Sequence, residues 1–183
     1  MKNIVLIGMP GAGKSTMGVI LAKALRKKFV DTDLAIQERT GRLLQEIIDT
    51  NGPGAFKKIE EETILSHTFH NTVIATGGSV VFSEKAMQHH KSGGAIIYLA
   101  ISFDEMKRRL RNITTRGIVL VKGESLRGMY DERVPLYEKY ADITIDCENE
   151  DFEDSVAKVM EELQKLPESV FEKKKVSTTN PGH

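Results

Sequence analysis

The sequence predicts an α/β fold of three layers, a five-stranded parallel sheet covered by helices on both faces. Three observations predict it. Five short apolar, β-rich runs alternate with stretches of helical periodicity along the chain, and such alternation calls for a parallel sheet. The first of these runs ends in a glycine-rich turn that opens directly into a helix. The chain has 183 residues, enough for one compact core and too few for two ample ones.

The strand runs are Ile4–Ile7, Phe29–Val30 ending at Asp31, Thr72–Ala75, Ala95–Leu99 and Ile143–Ile145. Helical spacing begins at Lys14 and extends to Lys28, with Met17, Ile20, Leu21, Ala24 and Leu25 on one stripe. Helices are also predicted over Leu34–Arg39 and Leu43–His67, the latter interrupted at Asn51-Gly-Pro-Gly54. Further helices follow over Ser83–His90, Phe103–Arg111 with Ser102 as N-cap, and Leu126–Tyr140, bent or ended near Pro135. A last helix from about Asp151 carries Phe152, Val156, Val159, Met160 and Leu163 on its apolar stripe. One domain is expected over 1–166, with a loop or lid over about 112–125. A polar, flexible tail fills 167–183.

Composition excludes several classes. Lys plus Arg and Asp plus Glu are 26 each, so no net field draws the chain to nucleic acid or anionic lipid. The single cysteine, Cys147, allows no internal disulfide and fits a reducing compartment. The longest apolar run, Ala95–Ile101, is too short to span a bilayer. The expectation is a cytoplasmic monomer acting on a small molecule, with no nucleic-acid or membrane partner. His67 and His70 are three apart, but no further ligand sits at metal spacing, and a solvated helix end is the plainer reading. His89 and His90 are expected at a helix C-terminus, where the dipole favours a cation.

The chemistry begins at Gly8-Met-Pro-Gly-Ala-Gly-Lys14-Ser15, which satisfies G-x-x-x-x-G-K-[ST] between a strand and a helix. In that setting the backbone amides of Gly11, Ala12, Gly13, Lys14, Ser15 and Thr16 converge on phosphate oxygens, aided by the helix dipole. Lys14 is placed for the β- and γ-phosphates of ATP and Ser15 for Mg²⁺. Asp31-Thr-Asp33 ends the second strand, and in open α/β sheets ligands gather beyond the strand carboxyl ends. The two carboxylates could serve a metal and a substrate hydroxyl, or cap the following helix. Gly77-Gly78 after the third strand is a tight turn or a place of close substrate approach.

Taken with Phe56-Lys57-Lys58-Ile-Glu60, Arg116 and Arg133-Val-Pro-Leu-Tyr137, these elements resemble the shikimate kinase family in type and order over roughly residues 1–165. The resemblance implies ATP-dependent phosphorylation of shikimate and a nucleoside-monophosphate-kinase-like sheet in the order 2-3-1-4-5. It further implies Asp31 beside Mg²⁺, Asp33 at the reacting hydroxyl, and Lys57, Gly77, Gly78 and Arg133 around the acceptor. Arg109 would lie against adenine and Arg116 would reach the transferred phosphate from the lid. Three positions depart from the family pattern. Lys57 stands where an Arg is usual, Ser79 replaces a third glycine, and the lid reads Arg116-Gly-Ile-Val-Leu120. Lysine keeps the charge and loses the planar fork, so Glu60 is expected to help hold it. Lys57 and Ser79 keep a second acceptor open, homoserine or a sugar acid. A non-catalytic nucleotide-binding module is the third reading.

Overall fold

The structure is a computed structural model and describes residues 2–111, 125–148 and 152–167. The expected lid and tail therefore lie outside the described residues, apart from Ser125 and Pro167. The elements run β1 (Asn3–Ile7), α1 (Lys14–Ala24), β2 (Lys28–Asp31), α2 (Thr32–Thr40), α3 (Leu44–Leu65) and β3 (Thr72–Ala75). A 3₁₀ turn (Val80–Phe82) follows, then α4 (Glu84–Gly93), β4 (Gly94–Ala100), α5 (Phe103–Leu110), α6 (Leu126–Tyr140), β5 (Ile143–Asp146) and α7 (Phe152–Lys165).

All four strand pairings are parallel and the order is β2-β3-β1-β4-β5. The central strand β1 is buried along its whole length, which explains its unbroken apolar run. The edge strand β5 instead alternates, with Ile143 and Ile145 buried and Thr144 and Asp146 exposed. Val5 pairs with Ile74 and Ile96, so the strand ends on either side of the glycine turn open at one edge of the sheet.

Helix boundaries differ from expectation where capping is not written in the usual residues. The first helix stops at Ala24, four residues early. Arg26 takes a left-handed conformation (φ 53°) and Lys27 N–H donates to Ala22 O at 2.8 Å, a Schellman-type ending without glycine. α2 begins at Thr32, because Asp31 Oδ1 accepts from Asp33 N–H at 3.0 Å and caps the helix two residues before Leu34. α3 breaks where expected, with Gly52 at φ 82° before Pro53. Its start is held by Glu46, whose Oε2 accepts from Leu43 N–H. α6 runs through Pro135 to Tyr140. Burial of Met129, Arg133 and Tyr137 along its inner face outweighs the proline's lost hydrogen bond.

Two apolar clusters hold the fold. The larger joins the sheet to α1, α4, α6 and α7 and includes Leu6, Met17, Leu21, Val73, Met87, Leu99 and Tyr137. The smaller consists of Ile36, Ile47, Ile48 and Phe56, with Leu44 and Ile59 packed against it, and fastens α2 to α3. His67 and His70 follow the end of α3, and among the described residues no cluster of three metal-ligating side chains occurs. His90 is buried against Phe69, and burial, with His89 adding to it, pushes its pKa down to about 3. It is therefore neutral, and no dipole stabilisation of a charge arises there.

Candidate active site

The turn between β1 and α1 is built by backbone. Gly13 N-caps α1 in the left-handed region (φ 91°, ψ 14°), a conformation a side chain would strain. Ala12 N–H returns to Met9 O at 3.1 Å. Lys14 is buried beneath this turn, its Nζ donating to Gly8 O (2.8 Å) and Met9 O (2.9 Å). Ser15 Oγ donates to Asp31 Oδ2 at 2.6 Å, which joins the start of α1 to the end of β2. Asp31 therefore caps α2 with one oxygen and accepts from Ser15 with the other. A hydroxyl and a carboxylate side by side next to a phosphate-binding turn suit Mg²⁺, which takes one or two carboxylates plus nucleotide oxygens.

Arg109 packs under the same turn. It ion-pairs with Glu105, donates through Nη1 to Gly11 O (3.3 Å) and through Nη2 to Cys147 O (2.8 Å). Hydrogen bonds from Arg108 and then Arg109 hold the Glu105 carboxyl down at about 2. Arg109 therefore links the phosphate turn to the end of β5. Its neighbours Arg108 and Arg111 stay at the surface.

On the other side of the turn, Asp33, Gly77, Gly78, Ser79 and Arg133 line one small cleft with Pro10, Leu44 and Phe56. A Cβ at Gly77 would collide with Glu60 Oε1 and lie 2.9 Å from Asp33 Oδ1, so two carboxyl groups converge on this glycine. A Cβ at Gly78 would stand 3.0 Å from the Arg133 guanidinium and 3.2 Å from Pro10. A side chain at either place would have to displace these charged groups. The Gly77 N–H donates to Thr32 Oγ1 at 3.2 Å, and the Gly78 carbonyl accepts from Tyr137 Oη at 2.7 Å. Burial raises the Tyr137 pKa further, so the phenol remains a donor. One helical turn thus supplies both Arg133 to the cleft and Tyr137 to the loop that shapes it.

Lys57 does not share that cleft. It lines an adjoining one with Lys58, Glu60, Glu61, Ser79, Phe82 and Ser83, and its Nζ lies 3.8 Å from the centre of the Phe82 ring. Glu60, expected to support Lys57, accepts from Ser79 Oγ at 2.7 Å and interacts with Lys57 through charge. Full burial raises the Glu60 carboxyl to about 7, opposed by the Ser79 hydrogen bond and reinforced by Asp33. Arg116 lies outside the described residues. Sequence reasoning missed the roles of Thr32, Tyr137 and Phe82. The Arg-x-Pro-Leu-Tyr run was the available signal for Tyr137, one turn beyond Arg133.

A parallel sheet in this order with a lysine-bearing phosphate turn and an adjacent cleft of carboxylates and arginine defines a P-loop phosphotransferase with an alcohol acceptor. The family model for shikimate kinase matches residues 10–164. A shikimate kinase of Thermodesulfovibrio yellowstonii is 40% identical over 169 residues, covering 91% of this chain and 97% of the relative. One from Mycobacterium avium is 43% identical over 145 residues, 78% and 82% of the two chains. The solved Acinetobacter baumannii shikimate kinase in complex with shikimate superposes with a TM-score of 0.83 at 28% identity, covering 90% and 94%. The chain belongs to the shikimate kinase family.

Proposed function

We propose that this chain transfers the γ-phosphoryl group of ATP to a hydroxyl of shikimate, giving shikimate 3-phosphate. The observation that carries the reading is the polarity of the acceptor cleft. Asp33 and Arg133 face a single space beside the phosphate turn, with Lys57 in the next cleft. A ring bearing hydroxyls at one end and a carboxylate at the other fits that arrangement of charges. Family membership is that of a phosphotransferase, which sets aside a non-catalytic nucleotide module.

In this reading Asp33 holds the reacting hydroxyl and takes its proton as the new O–P bond forms and the bond from the γ-phosphorus to the bridging oxygen breaks, releasing ADP. Arg133 grips the acceptor carboxylate, and its burial makes that contact strong. The amides of Gly11 to Thr16 and the Lys14 ammonium hold the phosphates, so the acceptor and donor oxygens lie in line. Ser15 and Asp31 would hold Mg²⁺, which neutralises phosphate charge when bound. Arg109, already tied to Gly11 and Cys147, supports the nucleotide side, and Arg116 is assigned to charge on the transferred group. Lys57 and Ser79 are the observations that favour a different hydroxy acid. Coupled ATP-consumption assays with shikimate, homoserine and gluconate test the choice. Shikimate-dependent turnover well above the other two is expected, and turnover confined to another acceptor would overturn shikimate while sparing the kinase assignment.

A further inference from the structure

The two cations assigned to the acceptor carboxylate share an aromatic partner. Lys57 Nζ stands 3.8 Å from the Phe82 ring centre and the Arg133 guanidinium carbon 5.6 Å from the same centre. Both distances fall within the reach at which a ring quadrupole attracts a cation. The two cations come from different helices, α3 and α6, and line adjoining clefts that meet at Ser79. Phe82 ends the 3₁₀ turn between them and is half-buried.

The local chemistry gives the ring this task. A lysine ammonium is a point charge on a flexible stem, and it needs a partner to fix it. Glu60 accepts a hydrogen bond from Ser79 Oγ and acts on Lys57 as a neighbouring charge. The hydroxyl at Ser79 and the ring at Phe82 lie three residues apart on one turn, so that turn binds Glu60 with one residue and meets the Lys57 ammonium with the other.

Resting on the reading of the acceptor as shikimate, we propose that Phe82 is a positioning residue for carboxylate recognition. Its ring holds the Lys57 ammonium and the Arg133 guanidinium in register, so that both clefts present positive charge to one acceptor carboxylate. The ring lines the Lys57 cleft and not the one that holds Asp33. Its effect therefore falls on acceptor affinity and spares the chemical step.

The test is calorimetric binding of shikimate and of its uncharged methyl ester, with steady-state kinetics, for wild type, Phe82→Leu and Phe82→Tyr. Replacing Phe82 by trifluorophenylalanine adds a variant that keeps the ring's shape and weakens its quadrupole. Phe82→Leu and the fluorinated ring are expected to raise the shikimate Kd and KM about three- to tenfold. kcat and the ATP KM should stay within about twofold, and Phe82→Tyr should restore wild-type affinity. Methyl ester binding should be the same in all four proteins, and the effect of Phe82→Leu should shrink in a Lys57→Met background. Unchanged shikimate affinity in the leucine and fluorinated variants would overturn the proposal alone. So would equal losses for shikimate and its ester, the mark of a merely structural ring. A wild type that binds ATP but not shikimate would overturn the functional reading and this inference together.

Discussion

The two sides of the site are built in different ways. The phosphate side is a single stretch of backbone, residues 8–16, seated on β1 and α1 within the larger core. The acceptor side is assembled from side chains of α2, α3, the 3₁₀ turn and α6, and α2 is fastened to α3 by a cluster of four buried residues. Phosphate presents the same oxygens in every nucleotide, so a turn of amides suffices. An acceptor must be told from other alcohols, and that takes charges placed from several directions. Lys57 and Ser79, the two described positions at which the sequence differs from the pattern it resembles, both lie on the acceptor side.

The largest effect should come from the phosphate side. Lys14→Ala is expected to lower kcat/KM by roughly a thousandfold, since it removes an ammonium buried under the turn and proposed to meet the transferred charge. Circular dichroism should match wild type, because the core contacts of α1 come from Met17 and Leu21. Near-normal turnover would dismantle the assignment of Lys14 and with it the contrast between the two sides. Next in size, Asp33→Asn should cost about a hundredfold in acceptor-dependent kcat/KM and leave nucleotide affinity unchanged. The division rests on hydrogen bonding, for Asp31 and not Asp33 accepts from Ser15. Should equilibrium dialysis show the loss in nucleotide binding, Asp33 would move across the boundary and the comparison would fail at that residue.

The same contrast explains what could be read from the sequence. The P-loop is local, since its glycines, lysine and serine are contiguous and their spacing carries the geometry. Sheet and helices were legible because buried parallel strands are apolar throughout, as β1 and β4 are. The acceptor side hid its connections in long-range contacts. Glu60 and Ser79 are 19 residues apart, Tyr137 and Gly78 are 59, and no spacing rule joins them. Lys57 was recognisable as a departure and Glu60 as a charge near it, three residues away on the same helix, whereas Phe82 reaches it only through the fold. The early stop of α1 was illegible for another reason, since its left-handed residue is Arg26 where glycine is the usual sign.

The last predicted effect is on stability instead of turnover, and it belongs wholly to the acceptor side. Glu60 is fully buried and titrates near 7 where an exposed glutamate titrates near 4.5. Between those two values the folded protein binds more protons than the unfolded chain, so stability falls as pH rises through the window. The difference corresponds to ~3 kcal/mol once Glu60 is fully ionised, a figure that already includes the attraction of Arg133 and Lys57 nearby. Glu60→Gln keeps an oxygen that can accept from Ser79 and removes the ionisable proton. Urea unfolding at pH 8 should find this variant more stable than wild type by up to ~3 kcal/mol, with the gap closing toward pH 5. A gap of constant size across that range would mean that Glu60 acts through packing, and a variant less stable at pH 8 would mean that its charge is compensated. Either result would redraw the acceptor side as an ordinary buried network. The expected result would mark it as a place where stability is given up for charge held close to the substrate.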